Sequence, residues 1–414
     1  MSEHTDSFKL DGNVAARAKT PLIILAVIGW VLLAIGYFTN REQFHFSYHF
    51  AFIFCTTLTL GSLFFVIIQR LTTAGWSVVV RRIAETMAAN LPIVALLFLP
   101  ILFGVLNPPA STAAHTGAEH HAKYAYFEWL DRDFVNASHV LSAKGGYLEQ
   151  KFFLIRALIY LLLWAGLGWY LHKQSVAHDN DGSESRIRNM FRVSAPGALL
   201  FFYTGALAAF DWIMSLSPHW FSTAFGVYVL AGGAMSFMAT LILISVWLRG
   251  NNTLKNSITV EHYHDMGKLL FAFNVFWAYI GFSQYMLIWY ANLPEETFWY
   301  HDRQQGSWAS VSLLVAAGHF VIPFIFLLSR AVKRNTFTLS LAAGWLLLMH
   351  MVDVYWMVMP TLHTSGVHIS WQDFAALAAV IGTLGFCFVN RLGKHSLVPV
   401  KDPFLAESLA FENV

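Results

Sequence analysis

The chain has 414 residues, of which 57% are hydrophobic and only 12% charged, with a mean hydropathy of +0.52. Soluble domains carry roughly a quarter charged residues, so water is not the main solvent of this polypeptide. A formal net charge of +2 offers nothing for a nucleic-acid partner, and Cys55 and Cys387 both fall inside apolar runs, which argues against a disulfide framework or a thiolate metal site.

Residues 1–20 are polar and lack a short apolar core followed by a small-residue cleavage site, so they read as a retained tail. A helix needs about 20 mostly apolar residues to cross the hydrocarbon core. Ten segments approach that standard, near 21–39, 44–68, 83–106, 151–172, 190–215, 222–248, 264–291, 307–330, 337–359 and 371–390. The expected fold is therefore an all-α integral membrane protein with one membrane domain over 21–390 and a second polar tail over 391–414. Glu85, Asn90, Pro92 and Pro100 interrupt the third span, and polar groups at that depth imply burial against other helices rather than lipid contact. With both termini cytoplasmic, 19 of the 26 lysines and arginines fall on the inner side or at inner helix ends; Arg41, Lys123, Arg132, Lys144, Lys151, Arg156 and Arg303 remain. That asymmetry is the one expected of ten crossings.

The connection over 107–150 is far longer than ordinary loops. It mixes Gly, Pro and His with the aromatic and acidic stretch Tyr124 to Asp133, and such a loop is expected to dock on something outside the membrane. Its histidines, His115, His120, His121 and His139, match no strong zinc spacing, so no metal is expected there.

Titratable side chains at mid-membrane cost about 2.5–3.5 kcal/mol on insertion scales, so each is a functional candidate. In chain order, the second span carries His45, His49, Thr56 and Thr59 in a stripe at helical spacing, and the seventh carries Asn274, Gly281 and Gln284 in another. Such stripes often glue helices together, and a hydrated path is the competing reading. Glu85 and Arg156 lie nearer span ends, where snorkelling to water explains them. Asp211, in the outer third of the fifth span beside Trp212, reads as a lone aspartate able to carry a proton. In the eighth span Pro323 excludes the hydrogen bond to the His319 carbonyl, which places a free acceptor and an imidazole at one level. In the ninth, His350 and Asp353 are three residues apart and share a helix face. Asp211, His319, His350 and Asp353, with Glu85, His49, Asn274 and Gln284, are thus the candidate proton path.

Three runs, FDWIMSLSPHWFSTAFGVYVLAGG (210–233), FNVFWAYIGFSQYMLIWYANLPEETFWY (273–300) and GHFVIPFIFLLSR (318–330), resemble the NrfD/polysulfide-reductase type of membrane subunit. The similarity is greatest to the second, shorter such subunit of bacterial alternative complex III, and it extends over almost the whole chain. The resemblance implies two four-helix bundles flanked by two further helices, in the bacterial cytoplasmic membrane, with no haem or cluster bound by this subunit. It implies partners: a second, longer NrfD-type subunit, a periplasmic iron–sulfur subunit and a multihaem cytochrome c subunit, which carry the clusters and haems, with lipid around them. The implied activity is oxidation of membrane quinol with electrons passed to a cytochrome or an oxidase. This chain would supply proton half-channels to that reaction. An alternative gives it its own quinol pocket near the periplasmic face, with His45, His49 and Asp211 as candidates. A transmembrane haem protein, a secondary transporter and a scaffold without chemistry are the remaining classes.

Overall fold

A computed structural model describes residues 7–109 and 126–412. Among these, every extended element is a helix, and ten of the helical segments are long and apolar enough to cross a bilayer. We number them α1 (Gly12–Thr39), α2 (Arg41–Leu71), α3 (Val78–Leu106), α4 (Gln150–Asp181), α5 (Glu184–Trp212), α6 (Phe225–Gly250), α7 (Val260–Ala291), α8 (Trp308–Leu328), α9 (Thr336–Val358) and α10 (Trp371–Leu392). The chain is a multi-pass membrane protein. Ten crossings put the described ends of the chain on one face, called here the terminal face; Asn40, 107–109, 126–149, 217–224, 292–307 and 362–370 lie between helix ends on the opposite face.

Local chemistry sets the helix ends. The Asp11 carboxylate accepts from the backbone N–H groups of Asn13 and Val14, and Asn40 caps α2 through the N–H of Gln43. Ser370 and Asp373 form a reciprocal capping box at the start of α10. At the end of α4, Gly182 takes φ +64, the left-handed conformation that closes a helix at least cost in glycine. The prolines of the third span break it as their chemistry requires. Its pieces Leu91–Leu97 and Leu99–Leu106 each begin with proline in the first turn, after Val78–Ala88 has ended.

α2 and α6 are the most enclosed helices and form the centre. α2 packs against α3, α5, α6 and α10; α6 also meets α5, α7 and α9; α4 joins α3 to α5, and α8 lies against α7 and α9. α1 runs along α10. The long side chains Ile24, Val27, Ile28 and Val31 of α1 point outward, as a lipid-facing surface should. The α2–α6 contact depends on absent side chains: a Cβ at Gly61 would stand 2.2 Å from the Gly233 carbonyl oxygen. Backbones come this close only where both residues are small. Gly61→Ala is expected to lower stability by about 1–3 kcal/mol through overpacking. Gly166→Ala, where a Cβ meets nothing within 4 Å, should not destabilise; thermal unfolding of the two variants in detergent checks both.

Three features go beyond these expectations. The first helix begins at Gly12, not near residue 21, because Asp11 supplies a cap and the following residues are good helix formers. The carboxyl-terminal segment is not a loose tail: Leu397 and Val398 are fully buried, and the Leu397 N–H donates to the Phe8 carbonyl at 2.7 Å. The aromatic part of the long loop turns inward. Tyr126, Phe127 and Trp129 are buried against this chain's own His49 and Phe153, so their apolar surface is already covered. Tyr124, His115, His120 and His121 lie outside the described residues.

Candidate functional site

The site forms where α6, α7, α8 and α9 converge. His350 and Asp353 sit about 12 Å and about 8 Å from the Val358 end of α9, at 1.5 Å per residue, so both lie inside the half of the span nearer the opposite face. His319 reaches the same place from α8. Pro323 cannot accept a normal helical turn before it, and the chain responds by widening Val315–Val321 into a π-helix. The Gly318 carbonyl that this exposes takes the Trp345 indole N–H at 2.7 Å. Pi-bulges of this kind aim a side chain that a regular helix would point elsewhere.

Donor atoms of His319, His350 and Asp353 all lie within 4.8 Å of one another, and the two imidazole centroids are 6.5 Å apart. Each residue is fully buried. Asp353 Oδ1 accepts the Tyr228 hydroxyl at 2.5 Å, and His350 Nε2 meets the Thr57 hydroxyl at 3.0 Å. His319 lies flat on the Trp277 ring, with centroids 3.6 Å apart. Gly232 makes room for His350: a Cβ there would stand 2.9 Å from its Cε1. Both ring nitrogens of His319, Nδ1 of His350 and the whole side-chain amide of Asn274 have no hydrogen-bond partner among the described residues. Asn274 is one turn from Trp277 on the same face of α7. Buried polar atoms are almost always satisfied, so the three orphan ring nitrogens of His319 and His350 mark a place that suits water. The same donors suit a divalent ion by type. An ion there would compete with Tyr228 for Asp353 and with Thr57 for His350.

Cavities approach the cluster from two directions. One of about 350 Å³ lies on the side of the opposite face, with Tyr228, Trp277, Gln284, Tyr300, Arg303 and Trp356 among its walls, and it reaches the lipid-facing surface at Phe282 and Val321. Gln284 is held there by Ser222 at 2.9 Å and Tyr300 at 2.8 Å. A second, of about 440 Å³, extends toward the terminal face and is bounded by Phe54, Thr59, Asn90 and Leu347. Its wall touches the cluster through Phe54, whose ring centroid is 5.8 Å from that of His350. It is otherwise almost wholly apolar.

The remaining candidates are not brought to this site. Asp211 is not a lone aspartate, and Arg156 does not snorkel: the guanidinium grips the carboxylate with two bonds of 2.8 Å, and the Tyr160 hydroxyl adds a third at 2.9 Å. A carboxylate held this way is already neutralised. Glu85 does not reach water either. It is buried among Arg70 at 2.6 Å, Arg82 at 3.1 Å and Arg81 at 3.7 Å, near the terminal face. Arg81 also pairs with Asp402, and Arg82 with Asp179 at 2.9 Å, which ties α3 to α4 and to the docked carboxyl-terminal segment. His49 Nδ1 meets the Tyr126 hydroxyl at 2.6 Å, and His45 stacks on the same ring at a centroid distance of 5.0 Å. The stripe on α2 is thus divided: Thr57, between Thr56 and Thr59, is the residue that serves the cluster. Sequence reading missed Thr57, Tyr228 and Trp277, since hydroxyls and indoles in apolar helices carry no signal until a partner is known. No protein-family model matches the chain, and no curated protein matches its sequence.

Proposed function

We propose that this chain is a proton-handling membrane subunit of the quinol-oxidising respiratory assembly its sequence resembles, built as two four-helix bundles, α2–α5 and α6–α9, flanked by α1 and α10. In this reading the terminal face is cytoplasmic, and the iron–sulfur and multihaem subunits lie on the opposite, periplasmic side. The single observation that carries it is the cluster of His319, His350 and Asp353: three titratable groups buried together, with three ring nitrogens free to take or give a proton. An intramembrane titratable group that is not locked into a fixed pair is a functional group by default. The π-helix, the glycine opposite His350 and the two flanking cavities all serve to keep those groups together and approachable. A proton arriving from one side would reside on His350 or His319 and leave by Asp353 and Tyr228 on the other.

Replacing His350 and Asp353 together by leucine tests this. In proteoliposomes carrying the protein with whatever subunits copurify, proton movement followed by an entrapped pH dye should slow about tenfold or more. Size-exclusion profile and subunit composition should stay as in wild type, because leucine is apolar and leaves no buried charge to satisfy. Unchanged proton movement in that variant would refute the reading.

One observation favours a second reading, in which the chain oxidises quinol itself. The cavity beside Tyr228 is open to lipid, lined by aromatic rings, and bordered by the hydrogen-bonding groups of Gln284, Tyr300 and Arg303. A quinol ring there would lie next to the Tyr228–Asp353 pair. His45, His49 and Asp211 would then have no part in it. A photoreactive quinone analogue that labels α7 or α8 supports this reading, and labelling confined to another subunit rules it out.

A further inference from the structure

Beyond the cavity at Tyr228, toward the opposite face, lies a smaller polar pocket of about 150 Å³ bounded by Glu128, Ser217, His219, Asp302, Arg303 and Thr361. Among the described residues Arg303 alone lines both spaces. It is an unusual partition. Its guanidinium is buried, lies 3.5 Å above the Trp299 ring, and spends its N–H groups on carbonyls: Nε on Trp356 at 3.1 Å, Nη2 on Met357 at 3.0 Å and Nη1 on Trp299 at 3.0 Å. The first two are carbonyls at the carboxyl-terminal end of α9, where a cation is favoured. The charge is therefore held by dipoles rather than by a carboxylate, and its field extends into both spaces. A fixed arginine between the two spaces raises the energy of a free hydronium beside it, so a proton passes it along hydrogen-bonded groups and bridging water rather than as a free ion. Among the described residues the outer side of that partition carries two carboxyls, Asp302, next to Arg303 in the chain, and Glu128, which comes from the long loop. Glu128 belongs to the short helical turn Glu128–Leu130, fastened by the buried Trp129. Burial pushes its carboxyl up to about 7, so near neutral pH it both holds and releases a proton. Among the described residues the other charged or titratable groups lining its pocket are His219, Asp302 and Arg303, with Lys144 behind His219, donating to the Pro218 and His219 carbonyls at 2.8 Å and 3.4 Å.

We propose that Glu128 is the proton acceptor joining the buried His319–His350–Asp353 cluster to water on the opposite face, with Arg303 as the positioned charge that separates its pocket from the cavity of Tyr228. The inference rests on the proton-handling reading. In the outward step the Tyr228 hydroxyl, which donates to Asp353 Oδ1 in the structure, first turns its proton toward the cavity; the O–H bond of protonated Asp353 then breaks as its proton moves to the Tyr228 oxygen. The Tyr228 hydroxyl proton is released at the same moment to water in the cavity, and an O–H bond then forms on the Glu128 carboxylate. Its loss to bulk water returns the carboxylate. No electron moves in the sequence.

The test uses the protein as purified from membranes, with its copurifying subunits, in proteoliposomes under an imposed potential. Glu128→Gln should slow proton movement about tenfold or more, and Glu128→Asp should restore a substantial part of it. Asp133→Asn, at an exposed carboxyl of the same loop, should behave as wild type. In pH-difference infrared spectra, Glu128→Gln should also remove a carboxyl band that titrates near neutrality. Proton movement unchanged by Glu128→Gln but abolished in the His350→Leu/Asp353→Leu variant overturns the Glu128 port and leaves the proton-handling reading standing. Wild-type protein that moves no protons, or a double variant that matches it, overturns both.

Discussion

Glu85→Gln is expected to lower the stability of the protein by about 3–5 kcal/mol, the cost of leaving buried charge uncompensated. In the intact molecule three buried guanidiniums, Arg70, Arg81 and Arg82, face three carboxylates, Glu85, Asp179 and Asp402. The amide keeps the shape of the side chain and removes the charge at the centre of the group. Two carboxylates then serve three arginines in a place water cannot reach. Arg70, which binds Glu85 at 2.6 Å, loses most. Adding Arg70→Met to Glu85→Gln rebalances the charge and should recover part of the loss, giving a positive coupling between two sites in direct contact. Thermal unfolding in detergent measures both variants. A Glu85→Gln protein that unfolds within about 0.5 kcal/mol of wild type would mean that the network is solvated after all. Because Asp402 belongs to the docked terminal segment, the same variant should also speed proteolysis near residue 400.

The second large effect is expected at Asp211. Asp211→Ala deprives Arg156 of its fork of hydrogen bonds and Tyr160 of its acceptor, and a cost of about 3–5 kcal/mol again follows from the stranded cation. Proton movement distinguishes structure from transport here. The neutral pair Asp211→Asn with Arg156→Gln should restore much of the stability and conduct protons as wild type does, since both charges have been removed together. Were Asp211 a proton carrier, the pair would be stable and yet deficient. Measuring unfolding and proton movement on the same preparation separates these outcomes.

The contrast between these sites follows from how each treats its charges. Around Asp211 and Glu85, opposite charges meet at hydrogen-bond distance and are held as ion pairs. Around His319, His350 and Asp353 the contacts are a hydroxyl on Asp353, a hydroxyl on one nitrogen of His350, and a ring face beneath His319. Hydroxyls can donate or accept, so they tolerate a change of protonation that a guanidinium would forbid. A change of protonation within the cluster would therefore break no ion pair.

Much of the architecture was legible in the amino-acid sequence. Hydropathy located the ten crossings, the prolines marked the breaks in α3 and the distortion of α8, and a spacing of three put His350 and Asp353 on one face. These are local properties, written in composition and helical period over 20 residues or fewer. What only the tertiary structure decided was partnership. Arg156 and Asp211 are 55 positions apart, Arg81 and Asp402 are 321, and Thr57 and His350 are 293. Nothing in either local segment indicates which buried charge will be neutralised and which left available. Apolar pattern tells a side chain that it must leave water, whereas the identity of its neighbour depends on which helix faces pack together, and that is a property of the whole chain.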